Sequence, residues 1–133
     1  MSTSIVYYSG NLRTESTHIE SGENYITDAP TDNQGKGKAF SPTDLIATSL
    51  ANCMLTIMGI IAKRESLQIE GTRAEVTKIM GKNPRCISEI KIDFQFPGDY
   101  GDEQKKLLEE GALNCPVAKS LSANLIQTIN FYY

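Results

Sequence analysis

Three cysteines, Cys53, Cys86 and Cys115, and a single histidine, His18, are the residues whose types could carry chemistry. They do not make a metal site. No two cysteines form a CxxC pair, and a closed zinc centre would need all four residues at once. The thiols therefore have to be read one at a time. Cys115 precedes Pro116 at a predicted helix start, where unpaired N–H groups and the helix dipole lower a thiol's pKa. Cys53 lies in the middle of a long apolar segment, where burial raises the pKa unless a cation from elsewhere in the fold sits beside it. Cys86 shares the parity of Ile90, Ile92, Phe94 and Phe96 and is expected to face their core. On residue types alone, packing is the favoured reading for Cys53 and Cys86, because a free cysteine behaves as a small hydrophobe. Cys115 is left open between packing and reactivity.

The element that must position Cys53 is SPTDLIATSLANCMLTIMGIIAKR, Ser41 to Arg64. Ser41 can N-cap, Pro42 suits the first helical position, and Asp44 completes a capping box. Leu45, Ile46, Leu50, Met54, Leu55, Ile57, Met58, Ile60 and Ile61 surround the helix, so it is expected to be buried on all sides. Its length of roughly 33 Å spans a small domain. Thr48, Ser49, Asn52, Thr56 and Gly59 argue against a membrane span. So apolar a helix needs more cover than a few short strands provide, and a two-fold homodimer interface is the expected remedy.

Before this helix, residues 4–8, 12–19 and 24–27 read as strands, with Ser21-Gly22 as a turn. A polar loop, DAPTDNQGKGKAFSP, is read as a surface connector; its GKGK run lacks the spacing of a phosphate-binding loop. After the helix, residues 67–80 read as a strand with a break at Gly71, and GKNP at 81–84 as a turn. Residues 85–96 alternate most clearly. A helix over 102–111, a second helix from Pro116 to about Leu125 and a terminal strand IQTINFYY complete the chain. Strands flanking helices without strict alternation point to an α+β fold of antiparallel sheets around a long buried helix, one domain over 1–133. In an unbroken strand Arg13 and His18 point to opposite faces, so His18 is read as sheet or surface packing.

At 133 residues and a formal net charge of -3 the chain has no basic footprint for nucleic acid. MSTSIVYYSG lacks the pattern of a signal peptide, and the expected location is the cytoplasm, where cysteines are more often catalytic or core than disulfide scaffold.

SPTDLIATSLANC resembles the segment around the reactive cysteine of the OsmC/Ohr family (osmotically inducible and organic hydroperoxide resistance proteins). NCPVAKSL resembles the context of that family's second cysteine. The resemblance implies an intertwined homodimer with two interfacial sites, and a thiol peroxidase reducing organic hydroperoxides with no bound cofactor. In it Cys53 attacks the O–O bond and Cys115 resolves the resulting sulfenic acid as a disulfide. An external dithiol, lipoyl-type in the best-known branch, then reduces that disulfide. Thr43 stands where the peroxidase branches carry Glu, and Asp44, one residue on, is the carboxylate candidate. Arg13 is the candidate for the family's activating arginine. The other reading is a non-enzymatic relative that binds a small apolar ligand at the dimer interface or senses redox state through its thiols.

Overall fold

The computed structural model describes all residues 1–133, which form two compact units, Met1–Leu45 and Ile46–Tyr133. The first unit is a three-stranded antiparallel sheet in the order β1 (Ser4–Gly10), β2 (Arg13–His18), β3 (Asn24–Asp28). Asn11 and Leu12 both take positive φ, 55° and 63°, as a two-residue hairpin turn matched to strand twist requires. The segment after β3 is more than a connector. The Gly35 and Asn33 N–H groups donate to the Pro30 carbonyl, Gly37 N–H to Ala29, and Asp28 N–H to Phe40. Gly35 passes so close to β3's end that a Cβ there would lie 1.6 Å from the Ala29 carbonyl oxygen.

α1 runs over Pro42–Arg64, and its start is the expected capping box: Ser41 N–H donates to Asp44 Oδ2 at 2.9 Å, and Asp44 N–H to Ser41 Oγ at 3.1 Å. The expectation of burial on every side does not hold within one chain. Ala47, Leu50, Ala51, Met54, Met58, Ile61 and Ala62 face the core. Ile46 and Ile60, however, are 44% and 59% exposed. By length and composition α1 could also cross a membrane; here it lays one face into the core of the second unit.

That core closes on a second sheet, ordered β4 (Arg73–Gly81), β5 (Cys86–Gln95), β6 (Ile126–Tyr132). Leu50, Met54, Met58, Ile90, Ile92, Phe94 and Leu108 are fully sealed from solvent. Three expectations are corrected here. Residues 67–72 are not strand: Ser66 and Gly71 take φ of 56° and 93°, which turns the chain before β4 begins. β6 pairs parallel, not antiparallel, to β5, because α2 (Asp102–Leu113) and α3 (Pro116–Ser120) form the crossover that a parallel return needs. α3 stops at Ser120 rather than near Leu125, since Leu121 is already extended at φ −81°, ψ 155°.

Cys86 is also corrected, for it is exposed rather than core-facing. Ile79 pairs with Glu89 but Met80 with Ile87, so a β-bulge slips the register between Cys86 and the alternating run that follows. Parity counted back across a bulge inverts.

Gly35→Ala should lower stability by about 1–3 kcal/mol, because its new methyl group meets backbone that cannot rotate away. A urea midpoint equal to wild type would show that the loop can relax around it.

Candidate active site

Cys53 sits at the border of α1's two faces. Ile46, Cys53 and Ile60 are seven residues apart and share one stripe, about a quarter-turn from the stripe of Leu50, Met54 and Met58. The thiol is therefore half-buried: it packs against the core cluster yet stays open to solvent.

Cys115 is fully buried. It takes the extended conformation of an N-cap, φ −67°, ψ 156°, with Pro116 as the first residue of α3. Its own N–H donates to the Ala112 carbonyl at 3.2 Å, tying it to the end of α2. Its Sγ accepts from Ala118 N–H at 3.5 Å, the helix-start contact that the Cys-Pro pairing leads one to expect.

The structure brings these two thiols near one another: the Cys53 side chain is among the groups that act on the Cys115 thiol, and both are free thiols. The balance at Cys115 differs from the sequence expectation. Burial pushes its pKa up, the Cys53 sulfur adds to that, and the Ala118 and Val117 N–H groups only partly oppose it. A one-turn helix start does not outweigh full desolvation. Cys115 is thus held as a protonated thiol, and Cys53 alone of the two is reachable from outside.

A groove of about 390 Å³ opens between the second turn of α1 and α3, lined by Ile46, Ser49, Pro116, Val117, Ser120 and Leu121. Ser49 is one turn before Cys53, and Pro116 adjoins Cys115. The walls are mostly hydrocarbon, so the groove suits an apolar group.

The other candidates lie in the first unit. Arg13 is engaged by a carboxylate that the sequence reading missed: its Nε and Nη2 donate to Asp28 Oδ1 and Oδ2 at 2.7 and 2.8 Å. Asp28 is 2% exposed and also accepts from Lys38 N–H at 3.2 Å. The Arg13 guanidinium, foremost through these hydrogen bonds, holds the Asp28 carboxyl below its usual range against the opposing effect of burial. Asp28 ends a strand and sits opposite Arg13 in the β2–β3 register, which only a correct hairpin alignment would have revealed. Asp44 serves in the helix cap, and Thr43 Oγ1 lies 3.2 Å from Ser41 Oγ. His18 is exposed at a hairpin, its Nδ1 2.6 Å from Ser21 Oγ.

The family model described as OsmC-like protein matches residues 35–129. A crystal structure from Psychrobacter arcticus, provisionally named an osmotic stress induced and detoxification response protein, is 52% identical. It covers 99% of this chain and 96% of its own, with a TM-score of 0.96. An organic hydroperoxide resistance protein of Legionella pneumophila shares the fold at 16% identity and TM-score 0.74, over 100% and 98% of the two chains. A Vibrio cholerae protein provisionally named an organic hydroperoxide resistance protein, solved with captopril in one of its active sites, does so at 15% and 0.73, over 98% and 92%. An uncharacterised Acinetobacter baylyi protein is 28% identical over 98 residues, 72% of this chain and 68% of its own.

Because Asp28's folded pKa lies below its unfolded value near 3.9, its stabilising effect is present above about pH 4 and is lost as pH falls through the folded value. Asp28→Asn should therefore melt several degrees below wild type at pH 7. The two proteins should converge as the pH is taken down through the lowered value of Asp28, where the wild-type carboxyl becomes protonated as well. An undiminished gap in acid would assign the loss to something other than this ion pair.

Proposed function

The chain belongs to the OsmC-like protein family, and from that membership we propose that it is a thiol-dependent peroxidase for organic hydroperoxides. The observation that carries this reading is the paired Cys53 and Cys115 sulfurs, one accessible and one sealed. The Cys53 thiolate attacks the distal oxygen of ROOH; the O–O bond breaks, an S–O bond forms, and the departing alkoxide takes a proton to leave as ROH. Cys53 is then a sulfenic acid. Cys115 condenses with it, forming the S–S bond and releasing water. An external dithiol, of the lipoyl type by resemblance, returns both thiols and is itself oxidised to a disulfide.

The division of labour follows from exposure. A peroxide can reach Cys53 but not Cys115, and a sulfenic acid formed at Cys53 has its resolving partner close by, which limits overoxidation. The apolar groove beside the two cysteines is the proposed seat for the organic part of the peroxide. Arg13 is the proposed activating cation, with Asp28 as the carboxylate that orients it; Asp44 is the weaker candidate, its carboxylate being used in the cap. A reduced cysteine pair serviced by a dithiol fits the cytoplasm. We read α1 as a core helix of a chain that engages neither membrane nor nucleic acid.

The exposed apolar stripe of α1 and the open faces of β1, with Ile5, Val6, Tyr7 and Tyr8 all exposed, support a homodimer. Light scattering at micromolar concentration should give twice the 14.6 kDa of one chain, and a monomeric mass would remove the interfacial site from this reading.

One equivalent of cumene hydroperoxide should consume two thiols per chain, faster than hydrogen peroxide does. Cys53→Ser should lose the reaction, at least about a hundredfold in rate, and Cys115→Ser should accumulate a trapped sulfenate. If all three thiols persist for minutes, the groove is a ligand site rather than a peroxidase pocket.

A further inference from the structure

α3 is five residues long, far below the roughly 12–15 at which a helix holds its own shape in water, yet it carries Cys115 at its cap. Something outside it must fix it. Its preceding residue is tied to α2 through the Cys115 N–H bond to Ala112. At the other end, its last carbonyls have no partners within the helix. One of them, the Ala118 carbonyl, accepts from Gln127 Nε2 at 3.0 Å. Gln127 is half-buried in β6, which is locked to the central strand β5 from Ile126 to Tyr132. Ala118 is thus held on both sides: its carbonyl by Gln127, and its N–H on Cys115 Sγ.

We infer that Gln127 is a positioning residue, which pins α3 to the sheet so that Cys115 stays within bonding reach of Cys53. It touches neither sulfur. Its effect is on the effective concentration of one thiol at the other, a quantity that falls steeply with small misplacement. The inference deepens the two-cysteine reading and rests on it for its place in catalysis, but the positioning itself can be measured without any peroxide.

The measurement is the equilibrium between the protein and a glutathione buffer, in a Cys86→Ser background that removes the exposed thiol. Protein dithiol plus glutathione disulfide gives protein disulfide plus two glutathione thiols, with two electrons and two protons passing to glutathione. Gln127→Leu should lower this equilibrium constant about tenfold, equivalent to about 30 mV. Gln127→Glu keeps the size and stem of the side chain, but its ionised carboxylate has no proton to donate to Ala118. It should therefore fall with Gln127→Leu at pH 7 and guards against a folding failure of the leucine variant.

With cumene hydroperoxide, both variants should form the Cys53 sulfenate at the wild-type rate and close the disulfide about tenfold more slowly, a split between steps that general loosening would not give. Equal glutathione constants in wild type and both variants would overturn the inference, as would a wild type that does not close at all. Should wild type close with glutathione and the variants fail to, while cumene hydroperoxide leaves every thiol intact, the positioning role stands and the peroxidase reading falls.

Discussion

Leu50, Met54 and Met58 are sealed from water and Cys53 is open to it, yet all four belong to one rigid helix. That single constraint organises the second unit. A helix advances about 100° per residue, so the step from Met54 back to Cys53 carries the chain from the core face to its edge. β5 supplies Ile90, Ile92 and Phe94 to the core face, and α2 adds Leu108. At the edge α3 approaches, with the Cys115 thiol. The two cysteines stand where the core ends, which is how a buried thiol and a reachable one come to be neighbours.

The asymmetry of the two thiols follows from the same placement. Burial makes a thiolate expensive at Cys115, and one N–H contact from Ala118 does not compensate. A sealed, protonated thiol is a poor nucleophile, so the two cysteines differ through solvent access and desolvation rather than through any difference in the residue itself. The rest of the crossover keeps this arrangement. Cys115 is fastened to α2 through Ala112, and α3 to β6 through Gln127, so the second thiol is held from both directions in the chain.

Much of this was legible in the residues. The Ser41-Pro42-Asp44 start, the alternation from Ile90 to Phe96 and the helix beginning at Asp102 all appear where local patterns place them, since each is decided by neighbours a few residues away. The failures were non-local. Parity put Cys86 in the core because a one-residue slip opposite Met80 leaves no trace in the sequence. IQTINFYY reads equally well as a parallel or an antiparallel strand, and the choice is made by the crossover rather than by the strand. The apolar girdle of α1 showed that the helix must be covered, but not which residues one chain would leave bare. At Cys115 the local rule for helix starts was obeyed in geometry and overruled in electrostatics, because burial depends on the whole core.

The carboxylate beside the arginine is the most instructive miss. With Thr43 in the place of the family's glutamate, Asp44 was the carboxylate candidate, and its carboxylate is engaged in the helix cap. The structure gives Arg13 Asp28 instead, in a two-pronged geometry that fixes the plane of the guanidinium as a single contact would not. This changes what the arginine's orientation depends on. A glutamate in the first turn of α1 would tie it to the helix. Asp28 ties it to the end of β3 and to the loop that folds back there, through Lys38 N–H on its carboxylate and through the close passage of Gly35 over Ala29. The Gly-rich run GKGK, empty as a phosphate loop, thereby acquires a reason for its glycines. It lets backbone approach backbone closely enough to bury Asp28, and a buried, fully engaged carboxylate is what holds a half-exposed arginine still.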